Sequence, residues 1–304
     1  MNTLRGHRLR VPGLVLCLVA AITGCTKDPD PLDLQAAVDA EVAAIKGGGS
    51  YVQPTTEQLA TVEQAMMTLC RDGNRAEKLL EPLGYAVTAF KDEAFGGGAL
   101  HLIREDVEAG VGRRGWGLYV IDCDADTAPV VEVPHPVSDK GTEQLGLDLF
   151  AQADAGAFLL AGSKRGPDGA PSDVAHAPAS MFSTVHGGLL TRSRQIVQMH
   201  GFATVNHEDL PQQAVVSSGS TDLKHGDLSR AVSDALSAAG VSVCLFSAGK
   251  TCSGLGATKN VQGKSTRDAG AWFVHVELDE DTRALRKDVA VGAVVDALAN
   301  QRGR

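Results

Sequence analysis

Three apolar runs of this chain end in side chains that are costly to bury without a partner or a task. Val130 to Val133 runs into Pro134-His135, with Asp139 and Glu143 close behind; Gln195 to Met199 runs into His200-Gly201; Trp272-Phe273-Val274-His275-Val276-Glu277-Leu278 is interrupted twice. Period-two alternation puts Gln198 with His200, and His275 with Glu277, on common faces. Two imidazoles, a carboxylate and a separate glutamate are the inventory of a catalytic zinc site. His135, His200 and one acid would hold the ion, which leaves a position for water and lowers its pKa to about 7. Glu277 would be the general base, passing the water's proton to a leaving amine. Asp139 is the favoured acidic ligand, since a loop leaving the strand can fold back onto the ion. Glu143 is the alternative, although in the first turn of a helix it already complements the dipole. His275 reads as a satisfied core or supporting residue rather than a ligand.

These residues need a scaffold that gathers strand ends. Beyond Pro129, short apolar runs at 130–133, 157–161, 195–199, 214–217, 241–246 and 271–278 alternate with helical stretches at 142–153, 179–191, 227–239 and 288–300. That alternation predicts an α/β fold, an open mixed, largely parallel sheet flanked by helices on both faces. In such sheets functional groups collect beyond the carboxyl ends of the strands. Upstream, an apolar stripe predicts a helix over 57–70, and strand-like runs lie at 86–90, 100–103 and 117–121. Residues 26–56, rich in Asp, Pro and Gly with one possible short helix at 32–45, read as a flexible tether.

The order of a histidine and acid after one strand, a histidine after a middle strand and a glutamate closing a late one resembles the zinc carboxypeptidase superfamily, nearest its poly-γ-glutamate hydrolase branch and related amidohydrolases. Lys259-Asn260-Val261-Gln262-Gly263, then Phe273 to Leu278, then Arg283, is similar to that branch's ending of an Asn, a strand closing in Glu, and an Arg. The resemblance covers residues 130–286. It implies Zn2+, a carboxylate-bearing peptide or γ-glutamyl-type substrate, amide hydrolysis, and a substrate-holding Asn260. The superfamily's first pair is His-x-x-Glu or His-x4-Glu; at those spacings His135 is followed by Ser138 and Lys140. That departure makes a non-catalytic binding or scaffold module the rival reading.

Arg165, beyond the run at 157–161, could clamp a substrate carboxylate bidentately. Asp173, His176 and His186 read as solvated loop or surface residues. The serine clusters lack a Gly-x-Ser-x-Gly elbow, so serine-hydrolase chemistry is not expected.

At the N-terminus, Arg5, Arg8 and Arg10 precede an apolar run from Val11 to Ile22, which is the layout of a secretory signal. Ile22-Thr23-Gly24-Cys25 resembles the lipobox of bacterial lipoproteins, implying lipidation of Cys25 and attachment to a cell-envelope membrane. Thr26, rather than an Asp, follows it, which favours the outer membrane in a Gram-negative cell. The division expected is a signal peptide at 1–24, a tether at 25–56 and one α/β domain at 57–304. Loss of the signal removes three of 28 basic residues, and the 25 that remain face 37 acidic ones, net −12. Nucleic acid is therefore not an expected partner. Cys70, Cys123, Cys244 and Cys252 form an even set that in an exported chain suggests two disulfides. Cys244 and Cys252 are close enough to staple a loop, leaving Cys70 with Cys123, although three pairings are open.

Overall fold

The computed structural model describes residues 32–301, apart from 49, 96–97, 107–111, 168 and 223–224. The stretch expected to be a signal peptide, the lipobox-like residues and Cys25 lie outside the described residues. Among the described residues the alternating apolar runs form nine strands: β1 (Tyr85–Phe90), β2 (Leu100–Glu105), β3 (Leu118–Asp122), β4 (Val130–Val133), β5 (Ala157–Leu160), β6 (Gln195–Gly201), β7 (Ala214–Ser217), β8 (Val243–Leu245) and β9 (Trp272–Leu278). They pair in the order β1-β2-β3-β5-β4-β6-β9-β7-β8. The four central strands, β5, β4, β6 and β9, run parallel, β1 to β3 join them antiparallel, and β7 runs antiparallel to β9. The fold is thus α/β with a mixed sheet, as the alternation requires.

Alternation also decides which helix covers which face. Val131, Val133, Val197, Met199, Val274 and Val276 point to one side, where α4 (Thr142–Gln152), α6 (Asp227–Ala238) and α9 (Lys287–Gln301) pack on them. Each such side chain gains about 1.5–3 kcal/mol on burial, so a one-residue slip of register is strongly disfavoured. The other face is covered by α2 (Thr56–Leu69), α3 (Gly73–Leu80) and α5 (Met181–Leu189). α7 (Val261–Asp268) packs against α5 and β9, and α8 (Glu280–Leu285) leads into α9. α4 approaches the sheet closely because residue 146 is glycine: a Cβ there would sit 2.4 Å from Val133 Cγ2 and 3.0 Å from the Phe158 ring.

Three differences from the sequence reading have physical causes. The short helix allowed for at 32–45 forms as α1 (Leu34–Lys46), capped by Asp33, but it is packed and not part of a free tether, with Leu34, Val38, Val42 and Ile45 buried. The Gly-rich and Asp-rich flanks hide a genuine apolar stripe, and its burial outweighs them. α7 escapes detection because its buried face is Gln262, Gly263 and Thr266, with no apolar period. α3 and α8 are short and polar, started by Asp72 and Asp279 caps. The cysteines pair Cys70–Cys123 and Cys244–Cys252, two of the partnerships the spacing allowed.

Candidate metal centre

The carboxyl ends of β4 and β6 deliver His135, Asp139 and His200 to one buried point. The first turn after β4 folds back, with Asp139 N–H donating to His135 O at 2.9 Å, and this presents the Asp139 carboxylate to both rings. Asp139 Oδ2 lies 3.4 Å from His135 Nδ1 and 3.2 Å from His200 Nδ1. The two rings meet edge to face, 4.9 Å apart. Glu143 instead turns to the Gly141 N–H at 3.2 Å, in the first turn of α4. The acid brought to the histidines is Asp139.

Partners on the far side of each ring decide which nitrogen faces Asp139. His135 Nε2 lies 2.8 Å from Asp173 Oδ1, and a carboxylate there calls for an N–H, so neutral His135 carries its lone pair on Nδ1. His135 Nδ1 is buried and has no hydrogen bond among the described residues. His200 Nε2 lies 2.8 Å from Gln198 Oε1. That oxygen also receives Asn260 Nδ2 at 2.5 Å, while Asn260 Oδ1 accepts from Gly263 N–H at 2.8 Å as the cap of α7. The cap forces the Asn260 amide orientation, which makes Gln198 Oε1 an acceptor and His200 Nε2 a donor. His200 Nδ1 therefore also holds a lone pair. Burial, only partly countered by Asp139, pushes His200 down to about 4, so the ring is neutral near pH 7.

With both rings neutral, three acceptors face one another, Asp139 Oδ2 at 3.2–3.4 Å from the two nitrogens, inside the protein; burial opposes charge on His135, but its contacts with Asp139 and Asp173 raise it, so in the absence of a cation a proton favours that ring. Ligands at 2.0–2.1 Å from a tetrahedral ion are spaced by about 3.3 Å, so the donor set and spacing fit a small divalent cation. A second group, His200, His275 and Glu277, also brings ligand atoms within 4.8 Å of one another. Glu277 pairs in register with His200 across β6 and β9 and is nearly fully buried. Its Oε2 has no hydrogen-bond partner among the described residues, and burial, with Asp139 nearby, pushes it up to about 8. His275, read from sequence as satisfied, is not: its ring lies 4.4 Å from that of His200, its Nε2 is 3.5 Å from Glu277 Oε1, and its buried Nδ1 has no hydrogen-bond partner among the described residues.

Arg165 stands beside this point, its Nε 3.4 Å from Asp173 Oδ2 and its side chain 39% exposed. It is close enough for its charge to lower both His200 and Glu277. Asn260 differs from expectation: it is 3% exposed and its amide is committed to the α7 cap and to Gln198, which is a positioning arrangement and not an open substrate contact. Asp173, read as solvated, is fully buried and joins His135, His176 at 2.9 Å and Arg165. Burial works against its charge, but the His135 and His176 contacts hold its carboxyl well below the usual range. His186 is also buried, against Glu132. Neither could be found by periodicity: Asp173 sits at the end of the Gly- and Pro-rich loop at 166–173 with its partner 38 residues away, and the partner of His186 is 54 residues away.

No protein-family model and no curated protein matches the chain. Among solved structures it is similar to a bacteriophage poly-gamma-glutamate hydrolase, with 14% identity, 65% of this chain and 95% of that chain covered, and a TM-score of 0.45. It is also similar to a protein named YNDL in its zinc-free form (14% identity, 72% and 91% covered, TM-score 0.41) and to a metallo-carboxypeptidase from Burkholderia cenocepacia (15%, 76% and 68%, 0.38). At this distance the likeness is one of fold and extends to neither residue roles nor substrate.

Proposed function

We propose that this chain is a zinc-dependent hydrolase of amide bonds, acting on a carboxylate-bearing peptide or γ-glutamyl-type substrate at the cell envelope, to which a lipid on Cys25 anchors it. One arrangement carries the metal reading: His135 Nδ1, His200 Nδ1 and an oxygen of Asp139 converge in a buried place where, with both rings neutral, a cation relieves the repulsion of their lone pairs. Two imidazoles and one carboxylate are a donor set that suits zinc, which when bound supplies Lewis acidity and a water acidic enough to ionise near pH 7.

The chain's own groups complete the chemistry. Glu277, which burial alone keeps protonated near pH 7 and which the charge of a bound cation would ionise, would then accept a proton from the attacking water and deliver it to the departing amine nitrogen. Arg165, partly exposed beside Asp173, offers its guanidinium to a substrate carboxylate. The assignment to a γ-glutamyl or acyl-amino-acid bond rests on the sequence resemblance and on that cation.

Metal analysis with variants tests the reading. Wild-type protein purified without chelator should carry stoichiometric zinc and His200→Ala should not, whereas Glu277→Gln should keep the metal and lose turnover on a panel of N-acyl amino acids and γ-glutamyl peptides. Retained turnover in Glu277→Gln removes the proposed base, and a wild type without zinc leaves a non-catalytic module. For the anchor, palmitate labelling should be present in the full chain and absent in Cys25→Ala.

A further inference from the structure

Beneath the cluster lies a second layer of polar side chains that the chemistry above does not use. Register pairing places Glu132 of β4 beside Gln198 of β6, Gln198 beside His275 of β9, and His275 beside Ser217 of β7. This row crosses four neighbouring strands two residues before His200 and Glu277, and all four side chains are buried. Such a row gives up apolar burial at the centre of the sheet and persists only if its hydrogen bonds are complementary. Glu132, with no exposed surface, accepts from Gln198 Nε2 through Oε2 at 2.9 Å, and its Oε1 lies 2.6 Å from His186 Nδ1. Both carboxylate oxygens are thereby taken by N–H donors. The Gln198 amide can then present only its oxygen to His200, at 2.8 Å from Nε2.

We propose that Glu132 is a positioning residue for the metal centre: through the Gln198 amide it fixes the tautomer of His200 with the lone pair on Nδ1, and so sets the affinity of the site for its divalent ion. This rests on the zinc reading above. The two ligand rings are then braced differently, His135 directly by the Asp173 carboxylate and His200 by a carboxylate acting through an amide. Outer partners of this kind are worth about 10–100-fold in metal affinity.

The decisive experiment is a polarity swap, read as zinc affinity of full-length protein by competition with a chromophoric chelator. In Glu132→Gln, with His186 in its present tautomer, a single amide oxygen faces two donors, His186 Nδ1–H and Gln198 Nε2–H, so zinc affinity should fall about 10–100-fold. Gln198→Glu alone sets two carboxylates against each other and should fall as well. In the double variant Glu132→Gln/Gln198→Glu the relay to His200 is restored, and only the long 3.4 Å contact of residue 198 with Gln262 Oε1 is given up: the amide at 132 accepts from His186 and donates to the carboxylate at 198, which accepts from His200 and Asn260. Zinc affinity should return at least to the wild-type value. A role confined to folding would lower the melting temperature of the metal-free variants and leave the zinc affinity of the folded protein unchanged, which overturns the proposal. So does a swap that binds no more tightly than the single variants; if the singles do not fold, a double variant that fails to retain zinc overturns it. A wild type that binds no zinc overturns the metal reading itself.

Discussion

At the level of single residues, the centre is a case of lone pairs held in place by partners behind the rings. Asp173→Asn keeps the volume but turns a carboxylate into an amide that can present a donor to His135 Nε2. Zinc affinity should fall about 10–100-fold with little change in the metal-free fold; an unchanged dissociation constant would show that His135 needs no brace. Glu277 carries a pH signature. Its carboxyl, raised to about 8 from the ordinary 4.5, binds a proton more tightly in the folded chain than in the unfolded one. It therefore lowers stability progressively as pH rises from about 4.5 to 8, by about 1.4 kcal/mol for each step of one in pH. In chelator, the stability of Glu277→Gln relative to wild type should grow between pH 5 and pH 8 in urea melts, and a flat difference would mean that Glu277 is ionised at little cost.

Among the elements, the site depends on how strands β4, β6 and β9 are held against their helices. α4 lies on β4 through Gly146, where a side chain has no room. Gly146→Val should destabilise the protein by about 1–3 kcal/mol through overpacking, and since β4 leads into His135 it should also weaken metal binding. An unchanged midpoint in urea would mean that α4 can retreat without cost. α7 is tied to the same centre from the other side, because Asn260 both caps it and bonds Gln198. Asn260→Ala should cost about 1 kcal/mol for the cap and, unlike loss of an isolated cap, reduce zinc affinity too; circular-dichroism melts and chelator competition separate the two effects. Element boundaries were legible where short apolar runs end in turn or polar residues, as in β4 and β7, and illegible in α7, whose inward face is polar because it meets a polar network.

For the molecule as a whole, the parallel centre of the sheet brings residues 135, 200 and 277 together from distant parts of the chain, while the two disulfides lie elsewhere, one joining the end of α2 to the residue after β3 and the other β8 to the loop after it. Under the proposed zinc reading, metal binding and global stability are linked. With free zinc at about a hundred times the dissociation constant, the folded state gains about 2.7 kcal/mol, which is several degrees in melting temperature for a chain of this size. Addition of chelator should remove that increment from wild type and make no difference to His200→Ala. Equal melting temperatures with and without chelator in wild type would deny the ion any role in the folded state.

Local patterning along the chain was enough for the α/β alternation, for the strands whose ends carry His135, His200 and Glu277, and for the four cysteines available for pairing, because periodicity and strand-end chemistry are local properties. It took the packed fold to settle that Asp139 and not Glu143 meets the rings, that Asp173 lies buried behind His135, that Asn260 faces inward, and that α1 belongs to the core. The reason is one of range. The hydrogen bonds of Asp173 to His135 and of Gln198 to Glu132 span 38 and 66 residues, and a side chain's partner at that separation follows from how strands and helices stack, which no local pattern records.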